Sequence, residues 1–290
     1  MINIQEMKCI KTIYGHISQV NYLLLLKDNR IASCSNDKTI RIFNPSNDYH
    51  CDQVLKRHSD DIISICQLDD GTIVSCSKDK SIIIGDYTIK NAHILMICKV
   101  ITLPNNRIAS CSWDNTIKIW KSEPPYSDKP IKVLEGHFGY IWSILYIQDR
   151  DIMISGSNDF TLSLWNILTC QCVTVIEEIN CVSTNSLYQI DNNRVIVGER
   201  ETFSIVNIDK CVIEKTTKDE SFGIVNCSLK LRDNKTILVG CDYGTFFYDM
   251  RTRQYEVKDI IEYPISNLLL INDKTFLSCS CSINIKVWDY

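Results

Sequence analysis

From Thr39 to Phe43 and again from Thr116 to Trp120, polar and apolar side chains alternate, with Ile40 and Ile42, then Ile117 and Ile119, on every second residue. A period of two puts alternate side chains on opposite faces of an extended chain, which predicts half-buried strands rather than helix. Just upstream of each run lies a polar segment centred on an Asp, with the composition of a turn. Before that comes an apolar run ending in Ser-x-Ser, as in residues 30–35 and 107–112. A further apolar segment precedes this pair (140–147 is the clearest), and a shorter one follows it, as in 131–137. Polar loops separate the segments, the longest being 121–130, and no stretch sustains a helical period.

The pattern repeats. Residues 30–43 recur as 72–86, 107–121 and 151–166, with weaker copies at 193–207, 236–249 and 275–289. With the first serine of Ser-x-Ser as origin, the equivalent positions are Ser33, Ser75, Ser110, Ser155, Val197, Gly240 and Ser278. The steps between them are 42, 35, 45, 42, 43 and 38 residues, so seven units fill the chain. A fixed period in this range indicates stacked or radial repeats.

The signature is fullest in GHFGYIWSILYI (136–147) and ISGSNDFTLSLWN (154–166). Its Gly-His, Ser-x-Ser-x-Asp and terminal Trp resemble the WD-repeat (WD40) family. The resemblance implies an all-β fold, a seven-bladed β-propeller of four-stranded antiparallel blades, with residues 1–290 as one unit. The chain ends at Trp288-Asp289-Tyr290, where a third strand closes. Residues 7–13 are therefore expected to supply the outer strand of the last blade and close the ring, which removes open sheet edges.

The resemblance also implies a hydrogen-bonded His–Ser–Asp–Trp tetrad in each complete blade. The matching residues are His16, Ser33 and Asp37 in blade 1, with Phe43 at the Trp position. Blade 2 has His58, Ser75 and Asp79, with Gly85 in place of Trp; blade 3 has Ser110, Asp114 and Trp120. Blade 4 is complete with His137, Ser155, Asp159 and Trp165. His93 keeps the 17-residue spacing to Ser110 that His16 keeps to Ser33. Only eight residues separate Gly85 from His93, against 15 from Phe43 to His58. That predicts a very short or absent outer strand in blade 2 and leaves the role of His93 open. A buried carboxylate is costly unless it accepts several hydrogen bonds, and such a tetrad supplies them. Blade 5 offers Asn180, Val197, Glu201 and Asn207, and blade 7 offers Ile261, Ser278, Ser282 and Trp288. Blade 6 keeps Asp242, after a shortened turn, and ends at Tyr248. Apolar packing is expected to hold these three.

Composition narrows the function. With 31 Lys+Arg against 35 Asp+Glu the net charge is −4, and the basic residues are scattered, as Arg41, Lys118 and Lys286 illustrate. This argues against direct nucleic-acid binding. No apolar run approaches the ~20 residues of a membrane span. The fifteen cysteines include no Cys-x-x-Cys, only CQC at 170–172 and CSC at 279–281. They read as small apolar side chains in a reducing compartment, the cytoplasm with the nucleus as alternative, and no metal site or cofactor is expected. Four of five histidines fall at one repeat position, and no catalytic motif is present, so no enzymatic activity is expected.

Function on such a ring lies on its loops. The resemblance points to three top-face positions per blade: third and fifth after the His, and just before the turn Asp. These are Gln19, Asn21 and Asn36; Asp61, Ile63 and Lys78; Met96, Cys98 and Trp113; Tyr140, Trp142 and Asn158; and Ser183, Asn185 and Arg200. Blades 6 and 7 add Asn226 and Ser266. Met96, Trp113, Tyr140 and Trp142 come from neighbouring blades and form the expected partner-binding patch, of residue types that dominate interface hot spots. Lys78 and Arg200 flank it, Asp61 is a nearby anion, and Asn36 and Asn158 complete the set. The leading function is a non-catalytic scaffold, monomeric alone, that binds protein or peptide partners on this face. The alternatives are a subunit of an RNA-processing or ribosome-assembly complex, and the substrate-receptor propeller of a ubiquitin ligase.

Overall fold

A computed structural model describes residues 7–258, 264–280 and 282–290. Within them the chain opens with β1 (Lys8–Ile13). Blade 1 follows as β2 (Val20–Leu25), β3 (Ile31–Ser35), β4 (Ile40–Asn44) and β5 (His50–Leu55). Blade 2 is β6 (Ile62–Gln67), β7 (Ile73–Ser77), β8 (Ile82–Ile84) and β9 (Tyr87–Ile89); blade 3 is β10 (Ile97–Leu103), β11 (Arg107–Ser112), β12 (Ile117–Lys121) and β13 (Lys132–Leu134). Blade 4 is β14 (Ile141–Ile147), β15 (Ile152–Ser157), β16 (Thr161–Asn166) and β17 (Gln171–Glu177); blade 5 is β18 (Leu187–Gln189), β19 (Arg194–Gly198), β20 (Thr202–Asn207) and β21 (Val212–Lys218). Blade 6 is β22 (Val225–Lys230), β23 (Thr236–Cys241), β24 (Gly244–Asp249) and β25 (Gln254–Lys258). Blade 7 comprises β26 (Ile265–Leu270), β27 (Thr275–Ser280) and β28 (Ile285–Asp289), with β1 as its outer strand.

Each blade is a four-stranded antiparallel sheet, and the seven form the expected propeller. The ring closes through β1, where Cys9 lies opposite Trp288 and Thr12 opposite Lys286. The last blade thus borrows its edge from the start of the chain, so β28 has a partner on both sides. Apolar clusters join neighbouring blades. Ile117 and Ile119 of blade 3, for example, share one cluster with Ile141, Ile144 and Trp165 of blade 4. Blade 2 has an outer strand, but of three residues only. The long 121–130 loop of blade 3 covers it, with Tyr126 stacked on Tyr87 at 4.7 Å and Tyr87 Oη donating to Asp128 at 2.7 Å.

One feature of the inner strands was not foreseen. In six blades the register against the second strand slips by one residue at the fifth position after the His, at Asn21, Ile63, Cys98, Trp142, Asn226 and Ser266. A bulge re-aims the side chain of its extra residue, and these six differ in exposure: Asn21, Trp142, Asn226 and Ser266 are half-buried. Cys98 and Ile63 are buried rather than displayed on the top face.

Candidate functional site

The turns between second and third strands and the loops between blades lie at one end of the ring, the top face. In blades 1 to 4 these two segments are tied together. His Nδ1 lies 2.7 Å from the Asp carboxylate in the pair His16–Asp37, and 2.9 Å in His58–Asp79, His93–Asp114 and His137–Asp159. His Nε2 lies 2.7 to 2.9 Å from Ser33, Ser75, Ser110 and Ser155 Oγ. Trp120 and Trp165 Nε1 donate to that serine at 2.9 and 2.8 Å. The geometry fixes a direction for every proton: indole N–H to Ser Oγ, Ser O–H to a neutral imidazole Nε2, and Nδ1–H to an ionised Asp. His93 therefore takes the same position as the other three, despite the short outer strand before it.

Three further groups hold the carboxylate, one of them the backbone N–H two residues after the Asp, at 2.9 to 3.1 Å from Thr39, Ser81, Thr116 and Thr161. The backbone N–H after the histidine donates to it, at 3.1, 2.9, 3.0 and 2.8 Å from Ile17, Ser59, Ile94 and Phe138. So does the hydroxyl two residues after the Asp, at 2.5 to 2.6 Å from Thr39, Ser81, Thr116 and Thr161. That fifth side chain was absent from the sequence reading, although Asp-x-Thr/Ser recurs in all four blades and carries the signal. Burial alone would raise the four carboxyls, but these hydrogen bonds and the adjacent imidazoles outweigh it and hold Asp37, Asp79, Asp114 and Asp159 below the usual carboxylate range. Burial likewise lowers His16, His93 and His137, against the pull of their Asp partners, which matches a neutral ring.

Blades 5 and 6 correct the sequence alignment. In blade 5 Val195 pairs with Val206, so Val206, not Asn207, takes the Trp position; the turn is one residue shorter than in blade 4. Its carboxylate comes from Glu199 rather than Glu201. Glu199 accepts from Asn180 N at 2.9 Å and Ser204 Oγ at 2.7 Å. Burial raises its carboxyl, beyond what those bonds offset. In blade 6 Ile237 pairs with Tyr248, which makes Val239, not Gly240, the serine equivalent. Asp242 belongs to the top-face set: it accepts from Asn226 Nδ2 at 2.9 Å, as Asn36 accepts from Asn21 at 2.7 Å. In blade 7 Trp288 donates to Ser278 at 2.8 Å, while Ser282 bonds to Ser280 at 2.7 Å. Ile261 lies outside the described residues.

On the top face, Trp113 stacks on Tyr140 across the boundary between blades 3 and 4, with ring centroids 4.8 Å apart. Trp142 meets Trp113 edge-on at 5.1 Å, and Met96 packs against the same cluster. The backbone explains the adjacency, because Trp113 N bonds to Met96 O and Asn158 N to Tyr140 O. A Cβ at Gly139 would stand 2.5 Å from Asn158 Oδ1, so a larger residue there would displace the Asn158 side chain. Both indole nitrogens, Trp113 and Trp142 Nε1, are buried without a hydrogen-bond partner. Leaving a buried donor unpaired costs about 1–3 kcal/mol. Phe138 and Phe160, 91% and 59% exposed, extend the apolar surface at the same end of blade 4, and Ile94 does so on blade 3. They escaped the sequence reading because they sit one residue after the His and the Asp, outside the three positions considered.

The other residues expected in the patch are placed differently. Lys78 Nζ pairs with Asp61 at 2.7 Å, so these two neutralise one another within blade 2. Asn36 is satisfied by Asn21. Arg200 is exposed and bridges to Ile224, at the border of blades 5 and 6. Asn185 is buried and turned inward, donating to Ser266 O at 3.1 Å and Asn21 O at 3.3 Å from blades 7 and 1. It also accepts from Lys99 Nζ at 3.4 Å. The Lys99 ammonium lies 5.7 Å from the Tyr22 ring, and burial lowers its pKa to about 8. Lys118 and Lys286, scattered in sequence, each lie over the tetrad tryptophan of their own blade, at 6.0 and 5.9 Å.

A ring of seven such blades, four of them locked by His–Ser–Asp relays, defines a WD-repeat propeller. The WD40 pattern (WD domain, G-beta repeat) matches residues 7–44, 49–86, 90–121 and 128–166, just over half of the chain, and the chain belongs to that family. It is similar to the nuclear distribution protein nudF of Aspergillus niger, 32% identical over 34% of this chain and 22% of that protein. It is also similar to eukaryotic translation initiation factor 3 subunit I of Debaryomyces hansenii, 33% identical over 35% of this chain and 30% of that one. The chain thus spans less than a third of the length of either relative. The WD40 β-propeller domain of Doa1 superimposes with a TM-score of 0.77 at 17% identity, over 98% of this chain and 97% of that one, which concerns the fold alone. No helix among the described residues is long and apolar enough to cross a membrane.

Proposed function

We propose that the protein is a non-catalytic scaffold that holds a protein or peptide partner on the top face of blades 3 and 4. The observation that carries this reading is the Trp113–Tyr140–Trp142 cluster with its two unpaired indole N–H groups. Elsewhere on the top face, Lys78 and Asp61, and Asn21 and Asn36, satisfy each other. At blades 3 and 4 the exposed Tyr140 ring adjoins two unsatisfied donors, Trp113 and Trp142 Nε1. A partner's apolar side chain fits the face of the stack, and its backbone carbonyls suit the indole donors once the rings shift to admit them. Large aromatic anchors of this kind cost about 2 kcal/mol or more when truncated. The reading takes residues 1–290 as one propeller, monomeric alone and working in the cytoplasm, without a cofactor. His16, His58, His93 and His137 each engage an aspartate and a serine within the blades, which supports a structural role for them.

The test compares affinity capture from native lysate by the wild type and by a folded Met96→Ala/Trp113→Ala/Tyr140→Ala variant. Specific partners should be depleted with the variant. Retention of every partner would move the binding surface elsewhere on the ring.

A further inference from the structure

Blade 2 completes its His–Ser–Asp relay yet carries no aromatic side chain at the fourth position. Beside it, between blades 1 and 2, lies a cavity of about 400 Å³. That is within the range of about 300–1,000 Å³ usual for ligand sites. Leu26, Ile42 and Leu55 wall it from blade 1, and Ile73, Ile83 and Gly85 from blade 2. It opens at the end of the ring opposite the aromatic patch, where the 27–30 and 85–86 turns lie. Ser75 and His58 also line it.

Three observations define what the cavity takes. In blades 3, 4 and 7 the equivalent serine accepts an indole N–H at 2.8 to 2.9 Å. Ser75 Oγ has His58 Nε2 at 2.9 Å as its hydrogen-bond partner, so a lone pair is left for a donor from the cavity. Second, Gly85 has φ +55°, and a Cβ there would meet nothing nearer than Thr72 Cγ2 at 3.1 Å. The left-handed backbone favours glycine and keeps the slot clear of its own side chain. Third, the residue before the histidine has changed as well. It is Gly15, Ala92 and Gly136 in blades 1, 3 and 4, and a Cβ at Gly136 would lie 3.4 Å from the Trp165 ring. In blade 2 it is Arg57, whose guanidinium reaches the Gly85 carbonyl and pairs with Asp86 at 2.6 Å. Charged side chains line the cavity alongside Gln53 and Gln67, while its apolar walls carry Ser75 as an acceptor with a lone pair free.

We propose that this cavity receives a tryptophan side chain from a partner polypeptide. The indole fills the apolar slot and its N–H donates to Ser75 Oγ, completing from outside the tetrad that blade 2 lacks, with the partner's backbone crossing the rim at Arg57. This site is independent of the top-face patch.

The test titrates the full chain with N-acetyl-tryptophanamide and with its 1-methylindole analogue, which lacks the N–H, by ligand-observed NMR. The parent probe should bind about three- to tenfold tighter than the methylated one, the worth of one hydrogen bond. Ser75→Ala should erase that difference. Thr72→Trp, which fills the mouth without touching the relay, should abolish binding of both probes and decides the matter if Ser75→Ala does not fold. The Met96→Ala/Trp113→Ala/Tyr140→Ala variant should bind the probe as the wild type does. Absence of binding, equal affinity for the two probes, binding undiminished in Thr72→Trp, or loss in the top-face variant would each overturn the proposal.

Discussion

Blades 1 to 4 and blades 5 and 6 share one backbone plan and are held by different chemistry. In the first group each top turn is fastened by a buried carboxylate that accepts from an imidazole, a hydroxyl and a backbone N–H. In the second no imidazole takes part: Glu199 accepts from the Asn180 N–H and the Ser204 hydroxyl, Asp242 from the Ile224 N–H and Asn226, and aromatic stacking between blades 5 and 6 adds to them. Phe222 lies on Phe246 at 4.2 Å, Phe203 meets Phe246 and Tyr248 at 5.3 Å, and Tyr255 closes the cluster. Four strands per blade and inter-blade apolar clusters suffice for the architecture. The polar relay adds a fixed top surface, and it is at blades 3 and 4 that this surface carries exposed aromatic rings.

This contrast can be broken in graded steps. Removing residues 7–13 strips β1 from β28 and opens a sheet edge; it should abolish the single cooperative thermal transition, followed by circular dichroism. Phe246→Ala, at the centre of the aromatic cluster, should cost about 3–5 kcal/mol in urea unfolding. Asp114→Ala leaves His93, Thr116 and the Ile94 N–H without their acceptor and should cost about 3 kcal/mol. Glu201→Ala, at a position outside the relay, should change stability by no more than about 0.5 kcal/mol. Equal losses at Asp114 and Glu201 would erase the distinction. The smallest effect belongs to Lys78→Ala, which removes a surface ion pair and should cost about 0–1 kcal/mol.

Much of this was legible because the repeat is a physical constraint on the sequence. Alternating apolar positions, the Ser-x-Ser-x-Asp turn and the histidine spacing placed the strands of blades 1 to 4 and their relays, and the short step after Gly85 announced the reduced outer strand of blade 2. The alignment failed where a turn lost a residue. One deletion between β19 and β20 moved the carboxylate role to Glu199 and the fourth position to Val206, because pairing, not sequence count, sets which residues face each other. The inner-strand bulges were invisible for the same reason, and the same bulge leaves Trp142 half-buried against Trp113 but Cys98 buried, so neighbouring packing decides which of them joins the patch. The aromatic cluster itself was legible from Trp113 and Tyr140; the unpaired indole nitrogens and the cavity beside Gly85 depend on packing that no single repeat encodes.

The two halves should also answer pH in opposite directions. His16, His93 and His137 titrate below their unfolded value, so stability is lost as pH falls below about 6.5, where the unfolded chain takes up the protons. The depressed Asp carboxyls add a further loss below about 4. Glu199 is raised, so its burial costs most when it is ionised, and that cost is relieved as pH falls toward its unfolded range. The most direct measurement is amide hydrogen exchange by mass spectrometry at pH 7 and pH 5, corrected for the intrinsic rate. The account predicts that the top turns at 36–39, 113–116 and 158–161 lose protection at pH 5 while the 198–202 turn holds or gains it. Uniform loss around the ring would contradict the division into polar and aromatic halves.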